Sequence, residues 1–311
     1  MSVRRGAAAR KPAKQSRSTD AEHSPPWVEE IHFRNEGAFF CLIINRRLKT
    51  IRVVDFRAGV LPAKRQFIRA VAERESIEKV ITIVERDEVS SWSRSGFQRE
   101  ASIPGFYKRS DAYLCGFLAG AGAAAQRPSE SSLKQLEKNM ATARKNAKKI
   151  GDIEGITPEK SSAEEVLPQR DRAWEEGLAL GAFDPWGRGT DREYWALHAP
   201  KTQRATNYFY TESQEWFGHA FVELLYPPEG AEQLEGSIAG LRGLGDLLKA
   251  RGLVSAFAFA PGDDLTLCTL FLAAGFRKTG FIARGATLQG RARDLIVWTR
   301  KLATFGGDDE P

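Results

Sequence analysis

The sequence is poor in the residues that staple a fold or hold a metal. Its three cysteines, Cys41, Cys115 and Cys268, lie far apart inside apolar runs, which excludes a disulfide framework and a CxxC metal motif. Its four histidines, His23, His32, His198 and His219, show neither HExxH nor any other paired-ligand spacing, so no structural metal is expected. No run approaches the ~18–20 uncharged apolar residues that cross a bilayer. The N-terminus is charged without an apolar stretch behind it, so no signal peptide is read and a cytoplasmic protein with no membrane partner is expected.

What is present describes a globular chain. Its 311 residues are 42% hydrophobic and 28% charged, enough for two compact domains or one with long appendages. The net charge of +6 is unevenly placed. Residues 1–26, rich in Ala, Ser and Pro, set six basic residues against Asp20 and Glu22 and read as a disordered basic tail. A second basic run spans Lys134 to Lys149, and residues 306–311 form a short acidic tail. The basic runs are not interleaved with aromatics or set in a reader motif, so nucleic acid is not an expected partner.

From residue 27 the pattern is ordered. Ala38–Ile44 and Ile51–Phe56 flank the polar Arg46-Arg47 as a hairpin, and Pro62 opens a helix with Phe67, Ile68, Val71 and Ala72 on one face. A strand at Val80–Val84, a helix over Glu85–Ser95 ended by Gly96, and strands at Glu100–Ile103 and Asp111–Phe117 complete a first block, 27–120. Residues 121–168 turn to Ser, Lys, Glu and Pro and read as a linker carrying an exposed basic helix, Ser132–Ile150. A second block, 169–305, shows helical segments at Arg172–Leu180 and Asp191–Leu197, then strands at Thr206–Thr211 and Phe217–Tyr226. Leucines 241, 244, 247 and 248 mark a helix stopped by Gly252. A strand at Leu253–Ala260, a helix over Leu265–Ala274 capped by Asp264, and strands at Phe281–Thr287 and Leu295–Arg300 follow.

One supersecondary unit occurs twice. Val80–Phe117 and Val254–Arg300 both run strand, short helix, Gly-Phe, strand, polar loop, then Asp and an apolar strand. Gly96-Phe97-Gln98-Arg99 in the first copy answers to Gly275-Phe276-Arg277-Lys278 in the second, and Asp111-Ala112-Tyr113-Leu114 to Asp294-Leu295-Ile296-Val297. The order Phe271–Gly280 followed by Ile296–Leu302 resembles the closing half of the GNAT acyltransferase fold. Gly96-Phe97, Glu100-Ala101, Ile103–Lys108 and Asp111–Tyr113 resemble the N-terminal domain of β-lysine N-acetyltransferases, which join such a domain to a C-terminal GNAT domain. The resemblance covers roughly residues 30–118 and 171–302. It implies a mixed α/β (α+β) sheet in two GNAT-like domains, the first truncated.

The same resemblance implies a chemistry. Acetyl-CoA would be the co-substrate and a small amine, β-lysine-like, the acceptor. The family cradles the diphosphate on backbone amides at a helix N-terminus, through Gln/Arg-x-x-Gly-x-Gly/Ala, where open donors and the helix dipole favour an anion. The matching stretch is Pro228–Gly240, in two registers. One sets Gln233 and Gly236 on the motif and leaves Ile238 at a small-residue position; the other sets Glu232, Glu235 and Ser237 there. The cradle candidates are therefore Gln233, Gly236, Ser237, Ile238, Ala239 and Gly240. Glu223 stands where these enzymes carry a general base, with His219 and Tyr226 beside it, and strand alternation puts His219, Phe221, Glu223 and Leu225 on one face. Cys268 and Phe271 occupy the positions where the family places Asn and the Tyr that protonates the thiolate. Phenylalanine donates no proton, so either another group such as Tyr226 does, or the thiolate leaves unaided, or no turnover occurs; a degenerate scaffold that binds a protein partner is the alternative function. The first block has one glycine between Phe56 and Pro62, and no cofactor is expected there. Its Tyr107, Lys108, Arg109 and Asp111 read as a surface loop or the lining of an interdomain cleft.

Overall fold

The computed structural model describes residues 26–34, 36, 39–55, 62–120, 128–151, 153, 157–198 and 205–303. The expected tails and the Arg57–Leu61 turn lie outside the described residues, Pro26 excepted.

The first half builds β1 (Val28–Arg34), β2 (Phe39–Asn45), β3 (Thr50–Asp55), α1 (Pro62–Arg74), β4 (Lys79–Val84), α2 (Val89–Arg94), β5 (Gln98–Ile103) and β6 (Ala112–Leu118). Phe40, Leu42 and Ile44 of β2 point into a core with Ile51, Ile68, Val80, Trp92 and Phe97, so the helices cover this face of the sheet. Gly96 takes φ +89°, the left-handed conformation expected of the residue that ends α2.

The second half builds α3 (Glu130–Ala147), β7 (Glu159–Ser161), α4 (Ala163–Glu175), β8 (Asp191–His198), β9 (Ala205–Gln214), β10 (His219–Leu224), α5 (Gly230–Ala250), β11 (Ser255–Pro261), α6 (Leu265–Ala273), β12 (Arg277–Leu288) and β13 (Arg291–Lys301). Asp264 caps α6 by accepting from the Leu267 amide, as read from the sequence. Three expectations fail here. Asp191–Leu197 is a strand, because Trp195 buries between neighbouring strands and its indole donates to Thr211. Residues up to Pro168 are not linker, since α4 begins at Ala163 with Ser162 as its cap. The basic helix α3 is not an exposed linker element. Its lysines face solvent, but Leu136, Met140 and Ala143 are buried in one core with Leu267, Cys268 and Phe271 of α6, and Asn139 donates to the Gly262 carbonyl.

All the described strands join one sheet in the order β1-β2-β3-β4-β6-β5-β12-β13-β11-β10-β9-β8-β7. Each half contains one parallel contact, and both run for four residue pairs: Thr50–Val53 on Lys79–Thr82, and His219–Val222 on Ser255–Ala258. Superposing these registers sets Arg52 on Phe221, Val54 on Glu223 and Lys79 on Ser255. Each half also has a bulge at the same place, between Arg99 and Ala101 and between Lys278 and Gly280. The halves meet through Ala101 and Gly280, which pair with each other across the β5–β12 seam. The sequence repeat thus places equivalent residues face to face, as at an isologous contact. A Cβ on Gly280 would lie 2.1 Å from the Ala101 Cβ, so glycine is what lets the two backbones close. Beneath the seam, Ile103 and Leu114 of the first half share a core with Phe221, Phe257 and Val297 of the second.

Candidate active site

β10 and β11 stop pairing after Val222 and Ala258, and α5 follows β10, which is the arrangement a cofactor cleft of the expected kind requires. The details depart from it. α5 starts at Gly230 and runs unbroken to Ala250. Gly236, Ser237, Ile238, Ala239 and Gly240 therefore lie inside the helix, with their amides committed to its own carbonyls. Gln233 does not face an anion either; its side-chain oxygen accepts the Glu229 amide and closes the helix start. The amides left open are those of Gly230, Ala231 and Glu232, flanked by the exposed carboxylates of Glu229 and Glu232. Ile238 is fully buried in the core, and a Cβ on Gly240 would meet Leu197 at 2.8 Å and Phe209 at 2.9 Å. Smallness at 240 serves helix-on-sheet packing. The residues present do not fit a diphosphate cradle, because negative charge crowds the few open donors.

The other face of β10 carries the expected catalytic groups, and alternation does place His219, Phe221, Glu223 and Leu225 together. Each is covered by a different piece of chain. His219 is 3% exposed, stacked at 3.6 Å on the Phe106 ring of the first half, with Nδ1 3.0 Å from the Phe106 carbonyl. Burial pushes its pKa down to about 3, so it is neutral. Phe221 stacks at 5.0 Å on Trp186. Glu223 accepts the Phe183 amide at 2.9 Å, and a Cβ on Gly181 would come within 3.0 Å of its own Cβ. Burial, then the charge of Asp184, pushes the Glu223 carboxyl up to about 8. The Leu225 carbonyl accepts from Leu180. Tyr226 donates to the Gln169 carbonyl, and burial raises its pKa above the ordinary tyrosine value. The Trp186–Phe221 stack stands between His219 and Glu223, so the two do not share an open cleft.

Residues that local patterning did not single out hold this cover down. Glu212, 2% exposed, accepts the Trp186 and Gly187 amides and the Tyr210 hydroxyl. From the first half, Arg52 lies 4.7 Å over the Trp186 ring and donates to its carbonyl. Asn45 donates to Asp184 at 3.0 Å, and Arg47 sits 3.5 Å from the same carboxylate. The contacts from the first half span more than a hundred residues of chain, which is why local patterning misses them. The void left among Arg52, Asp184, Trp186, Phe221 and Glu223 is about 30 Å³, far below the size of a small-molecule site. Tyr107 packs edge-on against Phe217 at 5.5 Å and Asp111 accepts the Gly105 amide, so this loop belongs to the plug between the halves. Cys268 and Phe271 are both buried in the α6 core, Phe271 stacked on Trp298 at 5.3 Å.

No family model and no curated protein matches the chain. Solved structures do. A variant of the spermidine N-acetyltransferase from Vibrio cholerae is 10% identical, with 47% of this chain and 94% of that one covered and a TM-score of 0.39. The ribosomal-protein-S18-alanine N-acetyltransferase from Escherichia coli is 15% identical, over 50% of this chain and 99% of that one, with a TM-score of 0.37. A protein from Chromobacterium violaceum described as a GNAT-family acetyltransferase is 13% identical, over 49% and 85%, with a TM-score of 0.36. Each of these proteins is similar to about half of this chain.

Proposed function

We propose that this protein is a non-catalytic scaffold or regulator built on an acyltransferase-type sheet, and that it contacts a protein partner instead of turning over acetyl-CoA. One observation carries the reading: the face of β10 that bears Glu223 and His219 is covered along its length by Phe106, Trp186 and the Leu180–Phe183 segment. An amine acceptor needs a cleft of hundreds of cubic ångströms, and the void there is about 30 Å³. Exposed aromatics support the association side of the reading: Trp216, on the turn between β9 and β10, is 92% exposed, and Phe217 beside it 44%.

The second reading is N-acetyl transfer from acetyl-CoA to a small, β-lysine-like amine. It is favoured by the wording of Ile103–Tyr113 and by the parting of β10 from β11 ahead of the α5 N-terminus. Calorimetry with acetyl-CoA up to millimolar concentration, run beside a thiol-release assay with lysine and polyamine acceptors, separates the two. No binding heat and no acceptor-dependent thiol is the expected outcome. Saturable binding with turnover that disappears in Glu223→Gln would establish the second reading instead.

A further inference from the structure

We propose that Glu30, His32 and Cys41 form a three-ligand site for a zinc-class divalent cation on the outermost hairpin of the sheet. β1 and β2 pair antiparallel with His32 directly opposite Cys41, and Glu30 lies two residues before His32, so all three side chains leave the same face. The Glu30 Oε2 atom is 3.8 Å from His32 Nε2 and 4.0 Å from Cys41 Sγ, and the three donor atoms lie within 4.8 Å of one another. Bonds of about 2.0–2.3 Å in a tetrahedron need donors about 3.3–3.8 Å apart, so the two Glu30 distances close by roughly half an ångström and the widest pair by about 1 Å. Imidazole, thiolate and carboxylate together suit zinc and its cobalt surrogate better than magnesium or calcium, which prefer oxygen alone. Among the described residues this is the one such grouping.

Cys41 is buried at the floor, whereas Glu30 and His32 are partly exposed, so the cation enters from solvent and keeps a fourth position for water. Binding converts the Cys41 thiol to a metal-bound thiolate and releases that proton. The site already holds a positive charge: Arg188 Nε lies 2.9 Å from Glu30 Oε2, the oxygen that faces the other two donors. Arg188 follows Trp186 in the segment that covers β10, and with its side chain 41% exposed it is free to swing out. A cation on Glu30 therefore competes with Arg188, and its binding is coupled to that segment.

The test is a titration of the reduced, metal-free full chain with cobalt(II). The expected result is one equivalent bound, a thiolate-to-cobalt charge-transfer band, one proton released, and displacement by zinc. Cys41→Ser should abolish the band. His32→Ala, at an exposed position, should weaken binding by about tenfold or more. Cys115→Ser, Cys268→Ser and His23→Ala should leave the band intact, and Arg188→Gln should tighten binding severalfold by freeing Glu30. Circular dichroism of each variant without metal separates lost ligation from lost folding. Absence of the band, its survival in Cys41→Ser, or unchanged affinity in both His32→Ala and Arg188→Gln would overturn the site.

Discussion

β3 and β10 occupy the same place in their halves, each making four parallel pairs before the following helix, yet they carry opposite chemistries. Where β10 has Phe221 and Glu223, β3 has Arg52 and Val54. Arg52 and Phe221, equivalent in position, hold the same tryptophan, Trp186, one by its guanidinium and the other by its ring. A further contrast lies at the next strand. The first half buries an ion pair, Lys79 with Glu100 at 2.5 Å, where the second has Ser255 and Thr279. Burial holds the Lys79 pKa down and the Glu100 pKa up, each partly offset by the other's charge. The halves share a frame and divide the work: the second carries the covered face and most of its cover, and the first adds Phe106 and the Asn45, Arg47 and Arg52 contacts that hold that cover in place.

The comparison can be broken most severely at the seam. Gly280→Val forces side-chain atoms into the Ala101 backbone, whose Cα would lie 2.5 Å from the new Cβ, and should cost about 4–5 kcal/mol in urea unfolding. Ala101→Gly in the same chain should recover part of the loss; no recovery would mean the two positions are not in contact. Next is the ion pair. Lys79→Met leaves Glu100 buried without its partner and should destabilise by about 3–4 kcal/mol, whereas Lys79→Met with Glu100→Leu should return close to the parent, matching the uncharged second half. Equal losses in the single and double variants would refute the pairing.

The most gradual effect, spread over several pH units, concerns Glu223, whose counterpart is Val54. Its carboxyl titrates near 4.5 when unfolded and near 8 when folded, so between those values the native state binds more protons than the unfolded chain. Stability should therefore fall by up to about 1.4 kcal/mol for each pH unit between about 4.5 and about 8, and level off above. Glu223→Gln, which still accepts the Phe183 amide, should flatten that slope in melts taken across the range. An unchanged slope would mean that Glu223 is ionised in its covered site.

Local signals carried much of the architecture. The apolar runs of β2 and β3, Pro62 at the start of α1, Gly96 and Gly275 after short helices, and the Asp264 cap each act within a few residues, and each is where the pattern puts it. The repeat led to Gln98 over Arg277, the register the bulges confirm. The early start of α5 was also written locally, in the helix formers Ala231, Glu232, Gln233, Leu234 and Glu235; expecting a family loop there obscured it. What stayed hidden was set by partners distant in sequence. Asp191–His198 alternates too weakly to declare itself a strand until β7 and β9 flank it. His219 and Glu223 do share a face, but nothing near them announces Phe106 or Trp186. The Glu30, His32 and Cys41 grouping likewise exists only across a strand pair.

The seam where Ala101 meets Gly280 has a consequence for how the molecule assembles. Two separate copies meeting there would form a dimer that dissociates on dilution. With both copies in one polypeptide, closing the sheet is a unimolecular event at a fixed effective concentration, so its integrity is independent of how much protein is present. The same closure consumes the β5 and β12 edges, leaving, among the described strands, only the charged β1 and the three-residue β7 open to stray strand pairing.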